Sequence, residues 1–128
     1  MDQIANMINM IKNGSGRGHE SISVPFSKIK YSIVECLLKA GYISSVNKKI
    51  KKGFPVIEIG LAYIDGEPKV KGVSRISKNS CRVYKGVKDI KPVRNGFGMM
   101  VLTTPKGILT DKEARKEMVG GEALFKIW

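Results

Sequence analysis

The chain reads as an α+β protein, and three observations carry that reading. Two apolar stripes at helical spacing fall within the first forty or so of its 128 residues. An alternating strand pattern, Ile57, Ile59, Leu61 and Tyr63, then runs into the hairpin signal Asp65-Gly66. The remainder is mostly strand-like, with one short helix signal. The expected architecture is an N-terminal helix-strand-helix-three-strand half, residues 1–76, packed against a mostly β C-terminal half, residues 77–128.

Asp2 can cap a first helix, in which Ile4, Met7, Ile8 and Ile11 recur at i, i+3, i+4 and i+7. Asn13-Gly14-Ser15-Gly16 ends it. Ile22–Val24 is a short strand broken by Pro25. Ser27 is the next N-cap, and Ile29, Ile33 and Leu37, with Val34 and Leu38 beside them, mark a second amphipathic helix that stops at Gly41. Tyr42–Val46 is strand-like, and Lys48-Lys49-Ile50-Lys51-Lys52-Gly53 reads as a basic hairpin tip. After Asp65-Gly66, Val70–Ile76 is the expected return strand. Ser77-Lys78-Asn79-Ser80 is polar and separates the halves. Beyond it come a strand at Cys81–Tyr84, a brief helix near Ile90–Asn95 containing Pro92, an entry turn at Gly96-Phe97-Gly98 and a buried strand from Met99 to Leu102. Thr110 and Glu113 have capping-box spacing. Glu122–Trp128 closes the chain with apolar residues.

The formal net charge is +12, from 23 Lys and Arg against 11 Asp and Glu, scattered along the chain. A disordered basic tail would have concentrated them. The excess predicts a polyanionic partner. No apolar run approaches the ~18 residues of a membrane span, and the N-terminus lacks a signal-peptide pattern. No helix pairs a basic face with Trp, Phe and Leu as membrane-surface binding wants. A membrane partner is therefore not expected. Cys36 and Cys81 both read as small buried hydrophobes. With one His and two distant Cys, no metal site and no cofactor are expected.

Enzyme chemistry fails on inventory. His19 lies in a Gly/Ser loop with no nucleophile near it in sequence, and no paired carboxylates stand out. Pro105-Lys106-Gly107 lacks the spacer and ending of a P-loop, and Gly96-Phe97-Gly98 lacks the third glycine of a dinucleotide fingerprint. Nucleic-acid signals are stronger. The strand Met99-Met100-Val101-Leu102 ends in Thr103-Thr104-Pro105-Lys106-Gly107, a tight loop of hydroxyls, a cation and a glycine. On Arg82-Val83-Tyr84-Lys85, Arg82 and Tyr84 share a face; Tyr84 either stacks on a base or fills the sheet face. Lys28 and Lys30 open the second helix, either as phosphate contacts or as a solvated helix face. The Lys48–Lys52 run is an exposed tip that could touch phosphate.

Several stretches together resemble the bacterial small-subunit ribosomal protein eight family. They are Asp2–Ile8 ending at Lys12-Asn13-Gly14, Val24-Pro25-Phe26-Ser27-Lys28-Ile29-Lys30, and Arg75-Ile76-Ser77-Lys78 followed by Arg82-Val83-Tyr84. The last is Thr103–Arg115, closed by Gly120-Gly121-Glu122. Order and spacing match over almost the whole chain. The resemblance implies a structural constituent of the small ribosomal subunit that binds small-subunit rRNA in its central domain and helps to build the platform. Neighbouring small-subunit ribosomal proteins are the implied protein partners. The implied setting is the ribosome of the cytoplasm or of an organelle. The alternative is a stand-alone repressor acting on its own operon mRNA.

By the same resemblance the RNA-binding positions are Lys28, Lys30, Arg82, Tyr84, Thr103, Thr104, Pro105, Lys106, Gly107, Gly120, Gly121 and Glu122. Thr104 is the expected outward hydroxyl, with Thr103 capping the loop inward. Glu122 serves either as an acceptor for a 2′-hydroxyl or amino group, or as an internal clamp. Three positions depart from the family pattern. Pro105 replaces a Ser and removes a hydroxyl and a backbone donor. Met10 stands where Arg is frequent. Asn79-Ser80 replaces Pro-Gly in the turn before the Tyr84 strand.

Overall fold

The computed structural model describes residues 3–78, 81–91, 93 and 98–128. The chain is α+β and divides into two compact units, Gln3–Lys71 and Gly72–Trp128. Asp2, Asn79-Ser80, half of the Ile90–Asn95 segment (Pro92, Arg94 and Asn95) and the start of the Gly96-Phe97-Gly98 turn lie outside the described residues.

In the first unit α1, Gln3–Gly16, buries Met7, Ile8 and Ile11, the stripe that its spacing predicts. Strand β1 (Ser21–Pro25) leads to α2 (Lys28–Ala40). Ser27 caps α2, its hydroxyl accepting from the Lys30 N–H, and Gly41 ends it in the left-handed region. Then come β2, Ile43–Lys51, and β3, Phe54–Leu61. The three strands form an antiparallel sheet in the order β1-β3-β2, with Val24 and Lys48 both opposite Ile57. Ile57, Ile59 and Leu61 are buried, as the period of two requires, and both helices pack on this sheet. Asp65 and Gly66, with φ of 51° and 81°, close the two-residue hairpin between β4 (Tyr63–Ile64) and β5 (Glu67–Pro68).

The second unit is built on one antiparallel sheet. Its strands are β6 (Val73–Arg75), β7 (Tyr84–Lys85), β8 (Met99–Thr104), β9 (Gly107–Thr110) and β10 (Gly121–Ile127). The order is β6-β10-β8-β9, with β7 also on β10. Helix α3, Asp111–Glu117, starts in the capping box of Thr110 and Glu113. Ile90, Val93, Met100, Leu102, Ala114 and Ala123 make a core on one face of the sheet.

Four expectations change. Val70–Ile76 is not a return strand: only Glu67–Pro68 returns, and Val73–Arg75 pairs with β10 in the second unit. Local pattern shows that a segment is extended but not which strand it joins. The Cys81–Tyr84 strand shrinks to a bridge at Cys81 and the pair Tyr84–Lys85, and Cys81 is exposed whereas Cys36 is buried. The basic tip is narrower than Lys48–Gly53, because β2 stays paired to Lys51 and only Lys52-Gly53 turns. On α2 the buried stripe is Lys30, Ile33, Val34 and Leu37, with Ile29 and Leu38 exposed.

Candidate nucleic-acid interface

The chain leaves the edge of the second unit's sheet at Ser77 and rejoins it at Val83, an excursion. The Ile76 N–H donates to the Leu124 carbonyl before it, and the Ala123 N–H donates to the Val83 carbonyl after it. β6 and β7 are thus one edge strand interrupted by a loop. Across from the gap, the register of β10 slips between Ala123 and Phe125. Lys78 and Cys81 close the excursion through two mutual backbone hydrogen bonds. Arg75 adds a guanidinium hydrogen bond to the Leu124 carbonyl at the slip.

Glu122 holds the base of this excursion. Its carboxylate accepts from the Ser77 hydroxyl at 2.5 Å and from the Arg82 guanidinium at 3.1 Å. The Ser77 oxygen in turn accepts from the Val83 N–H at 3.1 Å. Ser77 is fully buried and Glu122 nearly so. A buried carboxylate needs such donors. Of the two roles open to Glu122 in the sequence, the clamp is the one its contacts fill. Ser77 belongs to this clamp although its polar surroundings read as a spacer; the signal for it was the Arg75-x-Ser77 pattern.

The clamp sits in a cross-strand row. Tyr84 is opposite Glu122, Glu122 is opposite Thr103, and Thr103 is opposite Ile108. Directly opposed residues share a face, so an aromatic, a carboxylate, a hydroxyl and an aliphatic group line up across β7, β10, β8 and β9. Tyr84 is 71% exposed, so it does not fill the sheet face. Thr103 is half-buried, and its hydroxyl makes no hydrogen bond among the described residues.

Thr104 does the reverse of what the loop pattern suggested. Its hydroxyl donates to the Gly107 carbonyl at 2.8 Å and accepts from the Lys106 N–H at 3.1 Å. It therefore braces the β8–β9 turn, and Thr103 carries the unused hydroxyl. The correction is physical: a hydroxyl at the first position of a tight turn finds backbone partners two and three residues on. Gly107 has a φ of 108°, which the turn requires. Pro105 and Lys106 are exposed at the tip, and Lys106 pairs with Glu117 at 3.2 Å, both half-exposed.

Gly120 and Gly121 bring three strands close together. A Cβ on Gly121 would lie 2.1 Å from the Thr103 carbonyl oxygen, and one on Gly120 would lie 2.3 Å from that of Lys85. Only glycine lets the backbone of β10 enter there. Thus Arg82, Tyr84, Thr103 to Gly107 and Gly120 to Glu122 all gather at one end of one sheet.

Lys28 and Lys30 belong to the first unit. Lys28 is exposed. Lys30 is only 4% exposed, because it falls at i relative to Ile33, Val34 and Leu37 on the buried stripe. Burial pushes its ammonium pKa below the ordinary 10.5. Lys30 therefore does not present a cation to a surface ligand as expected. Among the described residues no group of His, Cys, Asp or Glu could hold a metal ion, and no helix is long and apolar enough to cross a membrane.

The sequence profile described as Ribosomal protein S8 matches residues 2–128. The chain belongs to the ribosomal protein S8 family. It is 43% identical to the small ribosomal subunit protein uS8 of Chlorobium chlorochromatii, 42% to that of Caulobacter vibrioides and 41% to that of Chlorobaculum tepidum, each over 128 residues. Each comparison covers 99% of this chain and 97% of the relative. The family is one of structural ribosomal components, not of enzymes, in accord with the catalytic inventory above.

Proposed function

We propose that this chain is a structural constituent of the small ribosomal subunit that binds 16S-type rRNA directly in its central domain and helps to assemble and stabilise the platform. The observation that carries the reading is the row Tyr84–Glu122–Thr103. An exposed ring and an unengaged hydroxyl flank a carboxylate that is already neutralised by its own donors. Such a surface suits the shallow minor groove, 2′-hydroxyls and unstacked bases of RNA, where small polar groups approach closely. Glycines at 107, 120 and 121 leave no bulk around it. The net charge of +12 supplies the phosphate attraction, and Lys28, Arg82 and Lys106 are exposed cations for it. The same surface would take the chain's own operon mRNA wherever that mRNA repeats the rRNA fold. Neighbouring small-subunit proteins complete the set of partners, in the ribosome of the cytoplasm or of an organelle.

The test is co-sedimentation of the full chain with 30S-type particles at moderate salt, followed by crosslinking and sequencing of the bound RNA. Reads concentrated in the central domain are expected. Reads spread over unrelated RNA would overturn the assignment.

A further inference from the structure

We propose that the β2–β3 hairpin of the first unit is a second RNA contact, in which Phe54 stacks on an unpaired base while Lys51 and Lys52 hold the adjoining phosphates. The proposal rests on the rRNA-binding reading and extends it to a surface in the other unit.

Phe54 is 71% exposed, and Ile50, on the other strand of the same hairpin, is 75% exposed. Register separates the two. Ile50 is opposite Pro55, on the face that carries Ile57 and Ile59. Phe54 is opposite Lys51, on the face that carries Val56, Lys49 and Glu58. They therefore do not merge into one apolar patch, which a protein partner would want as an anchor. Each is a single apolar group among charges.

Most of the charges are positive. Lys48, Lys49, Lys51 and Lys52 surround the tip, and among the described residues Glu58 is the acid paired against them. Lys49 is held by Glu58 at 3.1 Å, Lys48 lies over the Phe26 ring at 4.3 Å, and Lys51 donates to the Ser23 hydroxyl at 3.0 Å. That last contact is to a neutral hydroxyl, so no carboxylate is paired with Lys51 among the described residues. Lys52 stands in the turn itself. Lys52 and Gly53 have φ of 51° and 81°, the left-handed pair of a tight two-residue turn. The turn holds the tip in one shape. An exposed ring with Lys51 opposite it and Lys52 in the adjoining turn is the arrangement by which single-stranded nucleic acid is bound: every base has a face to stack, and its phosphates meet the cations.

The test uses the full chain and a transcript of the small-subunit central domain. Phe54→Ser should weaken binding about tenfold, the loss of one base–aromatic stack, and Phe54→Trp should restore it. A photoreactive phenylalanine placed at 54 in reconstituted small subunits should crosslink to an unpaired nucleotide. A crosslink to a neighbouring protein, with RNA affinity unchanged in Phe54→Ser, would make the hairpin a protein contact and overturn the proposal. Unchanged affinity without any crosslink would overturn it as well. If the unaltered chain does not bind the transcript, the rRNA reading falls and this inference falls with it. If the unaltered chain binds and Phe54→Ser binds equally, this inference alone falls.

Discussion

Replacing Glu122 separates a residue that builds the surface from one that reads RNA. In Glu122→Ala the fully buried Ser77 hydroxyl loses its acceptor. A hydrogen bond to a charged group is worth about 1.5–3 kcal/mol. The Arg82 pair adds about 0–1 kcal/mol, since the Arg82 side chain is 54% exposed and water screens it. The expected total is about 2–4 kcal/mol. With an m-value near the lower end for small domains, the urea midpoint of the second unit should fall by roughly 1–3 M. Trp128, the single Trp, lies in that unit and reports on it by fluorescence. Glu122→Gln keeps an acceptor for Ser77 and should cost about 1 kcal/mol or less. Its affinity for the central-domain transcript should stay near that of the unaltered chain. An unchanged midpoint in Glu122→Ala would refute the clamp. So would a tenfold affinity loss in Glu122→Gln at normal stability, because the carboxylate would then be reading the RNA.

Thr103→Val should cost about 1–3 kcal/mol of cognate affinity, the penalty for an unpaired partner, whereas Thr104→Val should lower thermal stability by about 1 kcal/mol and spare discrimination between cognate and random RNA; filter binding and melting curves on both variants check this. Gly121→Ala drives a Cβ against the Thr103 carbonyl oxygen and should destabilise the second unit by about 3 kcal/mol or more, read by the Trp128 signal in urea. Lys30→Met removes a buried cation and should stabilise the protein by about 1 kcal/mol, the common size of such gains, without loss of RNA affinity. The sign with pH follows from the lowered pKa of Lys30. Between the folded pKa and 10.5 the native state binds fewer protons than the unfolded one, so stability of the unaltered chain rises with pH there. The advantage of Lys30→Met in denaturant melts should therefore be full at neutral pH and shrink as pH climbs towards 10.5.

Local chemistry made much of the fold legible. The Thr110–Glu113 box, the Ser27 cap, Gly41 and Asp65-Gly66 each act within a few residues, and each stands where the sequence put it. Long-range choices were not legible. Val73–Arg75 looks like the partner of the strand before Asp65-Gly66, yet it pairs with β10, some fifty residues on. Lys30 counted as a surface cation because charge outweighs position in a sequence reading; on the helix it falls in line with Ile33, Val34 and Leu37. The site was legible as a set of residues but not as a division of labour. Which of Thr103 and Thr104 braces the turn depends on where the Gly107 carbonyl and the Lys106 N–H point. The role of Glu122 depends on Ser77, which comes 45 residues earlier.

In the proposed function, the end of the second unit's sheet carrying Tyr84 and Thr103 reads RNA while dispersed cations supply the attraction. The most direct measurement is the affinity of Tyr84→Ala/Thr103→Val for the central-domain transcript and for an unrelated RNA of equal length, across a range of salt. A loss of about a hundredfold is expected for the transcript, from one stack and one hydrogen bond. Affinity for the unrelated RNA should not change, and the log-log salt slope should stay at about −3 to −5, for roughly four to six neutralised phosphates. Equal losses on both RNAs, or a transcript affinity that does not move, would contradict it.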